Sequence, residues 1–226
     1  MATEWLGSLI PVLLGIILSW QIGRVYAQAH RPYALWWTVS YALIALAALT
    51  QCIALPAGGF GPFDYRAYLA LSAVVPGFMG AGTVYLVWRR FGPIFLGAMV
   101  LCSLLALLGA VTTPLHTALL RDVMASSATV SKVAPSALLT LGFALLGAFG
   151  GAAMVLGSLY SYWRSRRLQT LMIALGGIVF ALAGTLGQFG HGALFFPAQI
   201  LGMLLLYFGV AGSRELPVRV QAERSA

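Results

Sequence analysis

Long stretches without a charged residue constrain the fold of this chain more than any other feature. The longest, residues 168–213, has 46 positions without Asp, Glu, Lys or Arg. Because about 20 consecutive apolar residues carry an α-helix across the hydrocarbon core of a bilayer, this stretch has room for two crossings. Gly190, His191 and Gly192 supply a break between them. Only 8% of all residues are charged, which indicates a surface that faces lipid rather than water.

Charged residues divide the rest of the chain into apolar segments of similar length. The sequence therefore predicts an all-α polytopic membrane protein, a seven-transmembrane-helix bundle that forms one domain over residues 1–213. A short polar cytoplasmic tail follows at 214–226. The predicted spans are 5–23, 33–55, 67–88, 91–115, 134–160, 168–190 and 193–213.

The placement of Lys and Arg predicts the orientation, because basic loops stay in the cytoplasm. Ten of the 13 basic residues fall in alternate connections or in the tail. An odd number of spans then places the N-terminus outside and the C-terminus in the cytoplasm, in a bacterial cytoplasmic (inner) membrane. The net charge of +8 is explained in this way, and no pattern indicates a nucleic-acid partner. The aromatic residues predicted at the outer headgroup level are Trp5, Tyr65 and Tyr68.

An internal similarity relates two parts of the chain. Residues 79–116 align without a gap with residues 154–191, with ten identities over 38 positions. This predicts that spans three and four and spans five and six are two copies of one helical hairpin in the same orientation. The alternative is that every hairpin entering the cytoplasm needs Trp and Arg at the interface. The scarcer matches are Tyr85 with Tyr160, Trp88 with Trp163, Arg89 with Arg164 and His116 with His191.

Small residues and prolines predict where helices pack and bend. In lipid, glycine lets two helix backbones approach closely. We therefore expect packing faces at a GxxxG pair on span five, at a glycine-rich part of span three, and a kink at the proline beside it. The residues concerned are Gly147 and Gly151 on span five, and Pro76, Gly77, Gly80 and Gly82 on span three.

Chemistry-bearing residues are scarce within the predicted spans. None contains Asp, Glu, Lys or Arg, whereas proton-coupled transporters and ion pumps place ionisable groups at mid-membrane. The seventh span lacks a lysine, so a retinal Schiff base cannot form there. The catalytic patterns GxSxG, HExxH, CxxC and GxxxxGK[ST] are absent from the sequence. We predict a protein that is not an enzyme.

Uncharged polar residues near the outer ends of the spans predict a binding pocket. Gln51, Gln188 and Gln199 lie toward the outer ends of spans two, six and seven, where His116 and His191 end spans four and six. Together they would line an outward-facing pocket for an uncharged amphiphile such as a quinone, lipid or pigment. The alternative is that the glutamines make hydrogen bonds between helices.

The two outer histidines allow a second hypothesis. Imidazoles at matched depth, such as those of His116 and His191, could ligate a haem iron from both sides or contribute to a copper or zinc site. The alternative is that each is a polar helix-end residue in the headgroup zone. Haem is thus an organic cofactor that these two histidines could hold, and the sequence does not establish any cofactor.

Several residues together resemble an uncharacterised family of bacterial seven-helix membrane proteins, and the resemblance implies no activity, cofactor or site residue. They are Arg31, Pro32, Arg66 to Tyr68, Gly82, Thr83, Tyr85, Gly184 and Thr185. The leading hypothesis is a non-enzymatic protein that binds or senses a small lipophilic ligand, or an accessory subunit of a larger membrane complex. The alternatives are a transporter or channel for an uncharged or hydrophobic solute, and a haem- or metal-binding redox subunit.

Overall fold

The computed structural model describes residues 2–54, 56–120, 130–188 and 192–212. Within these ranges the regular structure is helical throughout, without a strand. A 3₁₀ turn (Thr117–Leu119) and a one-turn helix (Val130–Val133) lie between the fourth and fifth of seven longer helices. The longer helices are α1 (Ala2–Ala29), α2 (Pro32–Ala54), α3 (Pro62–Val87), α4 (Gly92–Thr112), α5 (Ala137–Ser165), α6 (Leu168–Gln188) and α7 (Gly192–Gly212).

The helices α1 to α5 are long and apolar enough to cross a membrane, and α6 and α7 contain shorter apolar segments, Leu168–Ala183 and Phe196–Val210. One face of α4 shows the environment that this composition suits. Its large side chains Leu101, Leu104 and Val111 are all more than half exposed. In water such a stripe would cost free energy, whereas in lipid it is the ordinary outer surface. The fold is therefore an all-helical bundle, and its long apolar helices indicate a multi-pass membrane protein.

Helix α3 begins before the apolar segment that it contains. Pro62 stands in its first turn, where a missing N–H costs nothing, and Gly61 precedes it in an extended conformation. The helix consequently includes Asp64 and Arg66 in its first two turns, ahead of the predicted span.

Six of the seven helices form a closed ring. The order of packing is α1, α2, α3, α5, α6 and α7, with α7 returning to α1, while α4 packs on α3 and α5 from outside the ring. One end of the bundle is called the basic end below, because the helix ends and turns there carry Arg24, Arg31, Arg89, Arg90, Arg164, Arg166 and Arg167. Helices α2, α4 and α6 end, and α3, α5 and α7 begin, at the opposite end.

Side chains from all six ring helices fill the ring on the side of the basic end. The main buried cluster includes Leu18 of α1, Tyr41 of α2, Met79 of α3, Met154 of α5 and Met203 of α7, and α4 contributes no residue to it. Close packing of this kind leaves little space for a ligand. A ligand is therefore expected to bind nearer the opposite end.

The parallel helices α3 and α5 cross at backbone contact. A Cβ atom added to Gly80 would lie 2.6 Å from the Cα atom of Gly150, and one added to Gly150 would overlap the carbonyl group of Pro76. The prediction that span three packs through its glycines is confirmed. Pro76 lies inside the helix, and the kink expected there stays a prediction.

The prediction for the GxxxG pair of span five is wrong. Cβ atoms added to Gly147 and Gly151 would meet no atom within 4 Å, so neither glycine faces another helix. Gly150, which lies with them in a π-helical turn over Leu146–Gly151, is the glycine that packs on α3.

Candidate ligand-binding site

The connection between α2 and α3 folds back over the opposite end of the bundle. Gly58 and Gly59 have φ values of 76° and 140°, a region that side chains disfavour, and the Gly59 N–H donates to the Ala54 carbonyl at 3.0 Å. This tight turn ends α2 and directs the next residue, Phe60, into the bundle, where its side chain is buried.

Phe60 completes a cluster of three aromatic rings. Its ring centroid lies 5.4 Å from that of Tyr65 and 5.4 Å from that of Tyr68, and the two tyrosine rings are 6.4 Å apart. The tyrosines are three positions apart on α3, so their side chains share one face of that helix. Tyr65 is 0% exposed, and its hydroxyl group has no hydrogen-bond partner.

Gln51, one turn before the end of α2, brings an amide to the same place. Its side chain lies beside that of Tyr68 and is only 3% exposed, and its Oε1 atom has no partner. Leaving a buried polar atom unsatisfied costs about 1–3 kcal/mol. Two such atoms, Gln51 Oε1 and Tyr65 Oη, thus belong to side chains that neighbour Tyr68. The residues Gln51, Phe60, Tyr65 and Tyr68 are called the glutamine–tyrosine site below.

Arg66 lies between the two tyrosines in sequence but is used elsewhere. Its guanidinium donates to the carbonyl oxygens of Ala110 at 2.6 Å, Val111 at 2.5 Å and Thr113 at 2.8 Å, where α4 ends. The last carbonyls of a helix have no partner within the helix, and a cation there also favours the helix dipole. The positive charge is therefore occupied in joining α3 to α4.

Apolar side chains close the site on the side of α4 and α5. The aromatic rings pack in a buried cluster that includes Ala110 and Leu139, together with Leu120, Val133 and Ala134 from the segment between these helices. In such a low-dielectric environment a hydrogen bond to a bound molecule is stronger than in water. The site thus suits an uncharged molecule with a polar group.

The three glutamines predicted to share one pocket are placed differently. Gln51 belongs to the glutamine–tyrosine site. Gln199 is also buried, at 8% exposure, with an unpaired Oε1 atom, but it lies on α7, which packs on α1 and α6. Gln188 is the last residue of α6, and its side chain lies outside the described residues. The described part of the structure groups Gln51 with tyrosines of α3 rather than with Gln199.

Only one of the two histidines predicted to bind a metal or haem lies within the described residues. His116 is exposed and stands before the 3₁₀ turn, with its N–H donating to the Val133 carbonyl at 3.0 Å. His191 lies outside the described residues. Within the ranges that the structure describes, His, Cys, Asp and Glu form no group of three or more that could hold a metal ion. Ligation of a haem by the two histidines stays a prediction.

Sequence reasoning missed the tyrosines as site residues. The sequence predicts that Tyr65 and Tyr68 lie at the outer headgroup level, as many tyrosines at membrane surfaces do. The available signal was their spacing of three on a helix, which places both hydroxyl groups on one face. The sequence does not show which helix lies opposite that face, because this depends on tertiary packing. In the structure α2 packs on α3, and its Gln51 lies beside Tyr68.

Comparison of the chain with protein-family models, curated proteins and solved structures gives no match. Its class is thus defined by its own fold and site. It is an all-helical bundle with membrane-spanning character and a buried, uncharged polar site near one end.

Proposed function

We propose that this chain is a seven-crossing protein of a bacterial inner membrane that binds a small, uncharged amphiphile at the glutamine–tyrosine site and catalyses no reaction. One observation carries the proposal. Gln51 Oε1 and Tyr65 Oη are both buried and both without a partner, and both side chains are neighbours of Tyr68. A bound molecule that satisfies both atoms would recover the free energy lost by burying them.

The proposed topology places the basic end in the cytoplasm and the glutamine–tyrosine site near the outer surface. Its support is the concentration of arginine at alternate connections and the length of α6 and α7, each 21 residues. A helix of that length rises about 30 Å at 1.5 Å per residue, enough to cross the hydrocarbon core. The site would then lie at the level of the outer leaflet.

The atoms of the site restrict the chemistry of the ligand. Gln51 Oε1 is an acceptor, so the ligand must offer an O–H or N–H group to it. Tyr65 Oη can donate to a second polar atom of the ligand or accept from it. No charge is offered, because the guanidinium of Arg66 is bound to α4. A hydroxyl-bearing aromatic lipid such as a quinol fits these demands better than its oxidised quinone, which has acceptors only.

Mass spectrometry of the purified protein tests the proposal. The full chain is extracted in mild detergent, and its bound lipophilic molecules are identified and quantified. We expect a hydroxyl-bearing molecule in near-equimolar amount, lost from Gln51→Leu but kept in Gln199→Leu, a matched change of a second buried glutamine. Equal retention by both variants, or a wild-type protein without any such molecule, would refute the proposal.

A short-chain quinol and the matching quinone provide a second readout. The quinol is expected to raise the melting temperature of the delipidated protein and the quinone to raise it much less. An equal effect of the two forms would contradict the assignment of Gln51 as an acceptor.

A transporter for an uncharged solute is the second candidate, favoured by the crossing of α3 and α5. There Pro76 and the π-helical turn Leu146–Gly151 interrupt two parallel helices at facing positions. Interrupted helices line the substrate sites of many transporters. Flux of labelled uncharged solutes into proteoliposomes separates this candidate from a binding protein, for which no flux above empty vesicles is expected.

A further inference from the structure

The basic end carries two arginine-bearing turns whose charges are not used within the described structure. Arg89 and Arg90 lie between α3 and α4, Arg164 lies in the last turn of α5, and Arg166 and Arg167 lie between α5 and α6, all of them exposed. The described residues at this end include no Asp or Glu. These five guanidinium groups are called the paired arginine turns below.

The two turns are neighbours because the helices that lead into them run parallel and in contact. Gly157 of α5 leaves space for Thr83 of α3, and a Cβ atom added to it would lie 2.6 Å from the Thr83 methyl carbon. One turn of helix further on, the ring of Trp88 lies 5.7 Å from that of Tyr160. The arginines that follow these aromatic residues therefore lie side by side at the same end.

The backbone at Arg166 gives a second indication that its charge is used. This residue ends α5 in the left-handed region, with φ 53° and ψ 25°, and its N–H donates to the Tyr162 carbonyl at 2.6 Å. Glycine is preferred at such a position, since any side chain raises the energy of the left-handed conformation. The chain has an arginine here at the expense of stability.

Aromatic side chains fix the depth of the paired arginine turns. Trp88 and Trp163 are exposed, at 43% and 69%, immediately before Arg89 and Arg164. Exposed tryptophans beside apolar helix surfaces favour the headgroup level of a bilayer. The guanidinium groups are then level with lipid phosphates, to which arginine donates two hydrogen bonds at once.

We infer that the paired arginine turns bind the headgroup of an anionic phospholipid, with preference for a lipid that carries two phosphates. Two adjacent groups of guanidinium ions match two phosphates, whereas a zwitterionic headgroup would bring its own cation into the cluster. This inference does not depend on the glutamine–tyrosine site, because it concerns the other end of the bundle.

Thermal unfolding of the delipidated full-length protein in detergent tests the inference. Cardiolipin is expected to raise the melting temperature at concentrations where phosphatidylcholine does not, phosphatidylglycerol is expected to act more weakly than cardiolipin, and added salt is expected to reduce the effect. Inorganic phosphate at the same concentration is the control for a phosphate site without lipid. A shift with inorganic phosphate as large as that with cardiolipin, or an equal shift with phosphatidylcholine, overturns the inference.

Two double variants separate local binding from overall charge. R89Q/R90Q is expected to weaken the response to cardiolipin at least tenfold. R24Q/R31Q removes the same number of charges at the same end, where Arg24 stacks on Trp20 at 4.0 Å, and is expected to keep the response. Equal loss in the two variants means that only net charge acts, and the inference fails.

The variant Arg166→Gly separates a loss of lipid binding from a loss of stability. It relieves the left-handed strain, so the melting temperature without lipid is expected to stay the same or rise, while the response to cardiolipin falls. A variant with the full cardiolipin response would remove Arg166 from the site.

Discussion

The guanidinium of Arg66, in the second turn of α3, donates a hydrogen bond of 2.8 Å to the carbonyl oxygen of Thr113, the residue that caps α4. Two further bonds go to the carbonyls of Ala110 and Val111. A single charged side chain thus satisfies helix-end carbonyls that would otherwise face the apolar cluster beside the glutamine–tyrosine site. The arginine is a structural element rather than a ligand-binding group.

Replacement of Arg66 by leucine is expected to lower the free energy of unfolding by about 2 kcal/mol, because hydrogen bonds to a charged donor are lost and carbonyls remain unpaired. Chemical unfolding in detergent measures the change. Arg90→Leu, in an exposed turn at the basic end, is the matched control and should leave stability within about 0.5 kcal/mol. An equal effect of both substitutions would show that the hydrogen bonds to α4 contribute nothing specific.

The crossing of α3 and α5 predicts that glycines of the same helix differ in tolerance. Gly150→Ala places a methyl group against the Pro76 carbonyl and is expected to destabilise the protein by about 1–3 kcal/mol. Gly147→Ala meets open space and is expected to be neutral or slightly stabilising, since alanine favours the helix. Melting temperatures of the two variants decide the point. A destabilised Gly147→Ala with a normal Gly150→Ala would mean that the GxxxG face packs after all.

The same glycines show where sequence reasoning stops. Helix content and the apolar segments follow from hydropathy, because a stretch of about twenty uncharged residues in a membrane can satisfy its backbone hydrogen bonds by forming an α-helix. The contact between α3 and α5 at a π-helical turn depends on tertiary packing, and no local sequence pattern in Leu146–Gly151 predicts it. Gly150, rather than the expected pair Gly147 and Gly151, is therefore the residue that packs on α3.

The binding site was partly predictable for a similar reason. Gln51 was recognised because a buried amide in a membrane helix needs a partner. Its neighbour Tyr68 could not be recognised, since the order of helices around the ring is set by tertiary packing. Gln199 has the same chemistry and depth of burial but stands on a helix that packs elsewhere.

Tyr65→Phe distinguishes a binding hydroxyl from a structural one. Because the Tyr65 hydroxyl has no partner, its removal is expected to leave the ligand-free protein equally stable or more stable by up to about 1 kcal/mol. Affinity for the ligand should fall about five- to tenfold, the worth of one hydrogen bond. Melting curves with and without ligand give both quantities. Loss of stability without ligand would assign the hydroxyl to the fold instead.

The orientation of the bundle governs whether the glutamine–tyrosine site lies at the level of the outer leaflet, and single-cysteine labelling in intact cells tests it. In a chain with both native cysteines, Cys52 and Cys102, replaced by alanine, Ala57→Cys at the α2–α3 turn is expected to react with a membrane-impermeant thiol reagent. Arg90→Cys at the basic end should react only after the cells are opened, because arginine-rich turns remain in the cytoplasm. The reverse pattern would invert the bundle, and reaction of both positions in intact cells would remove the alternation of connections on which the seven crossings rest.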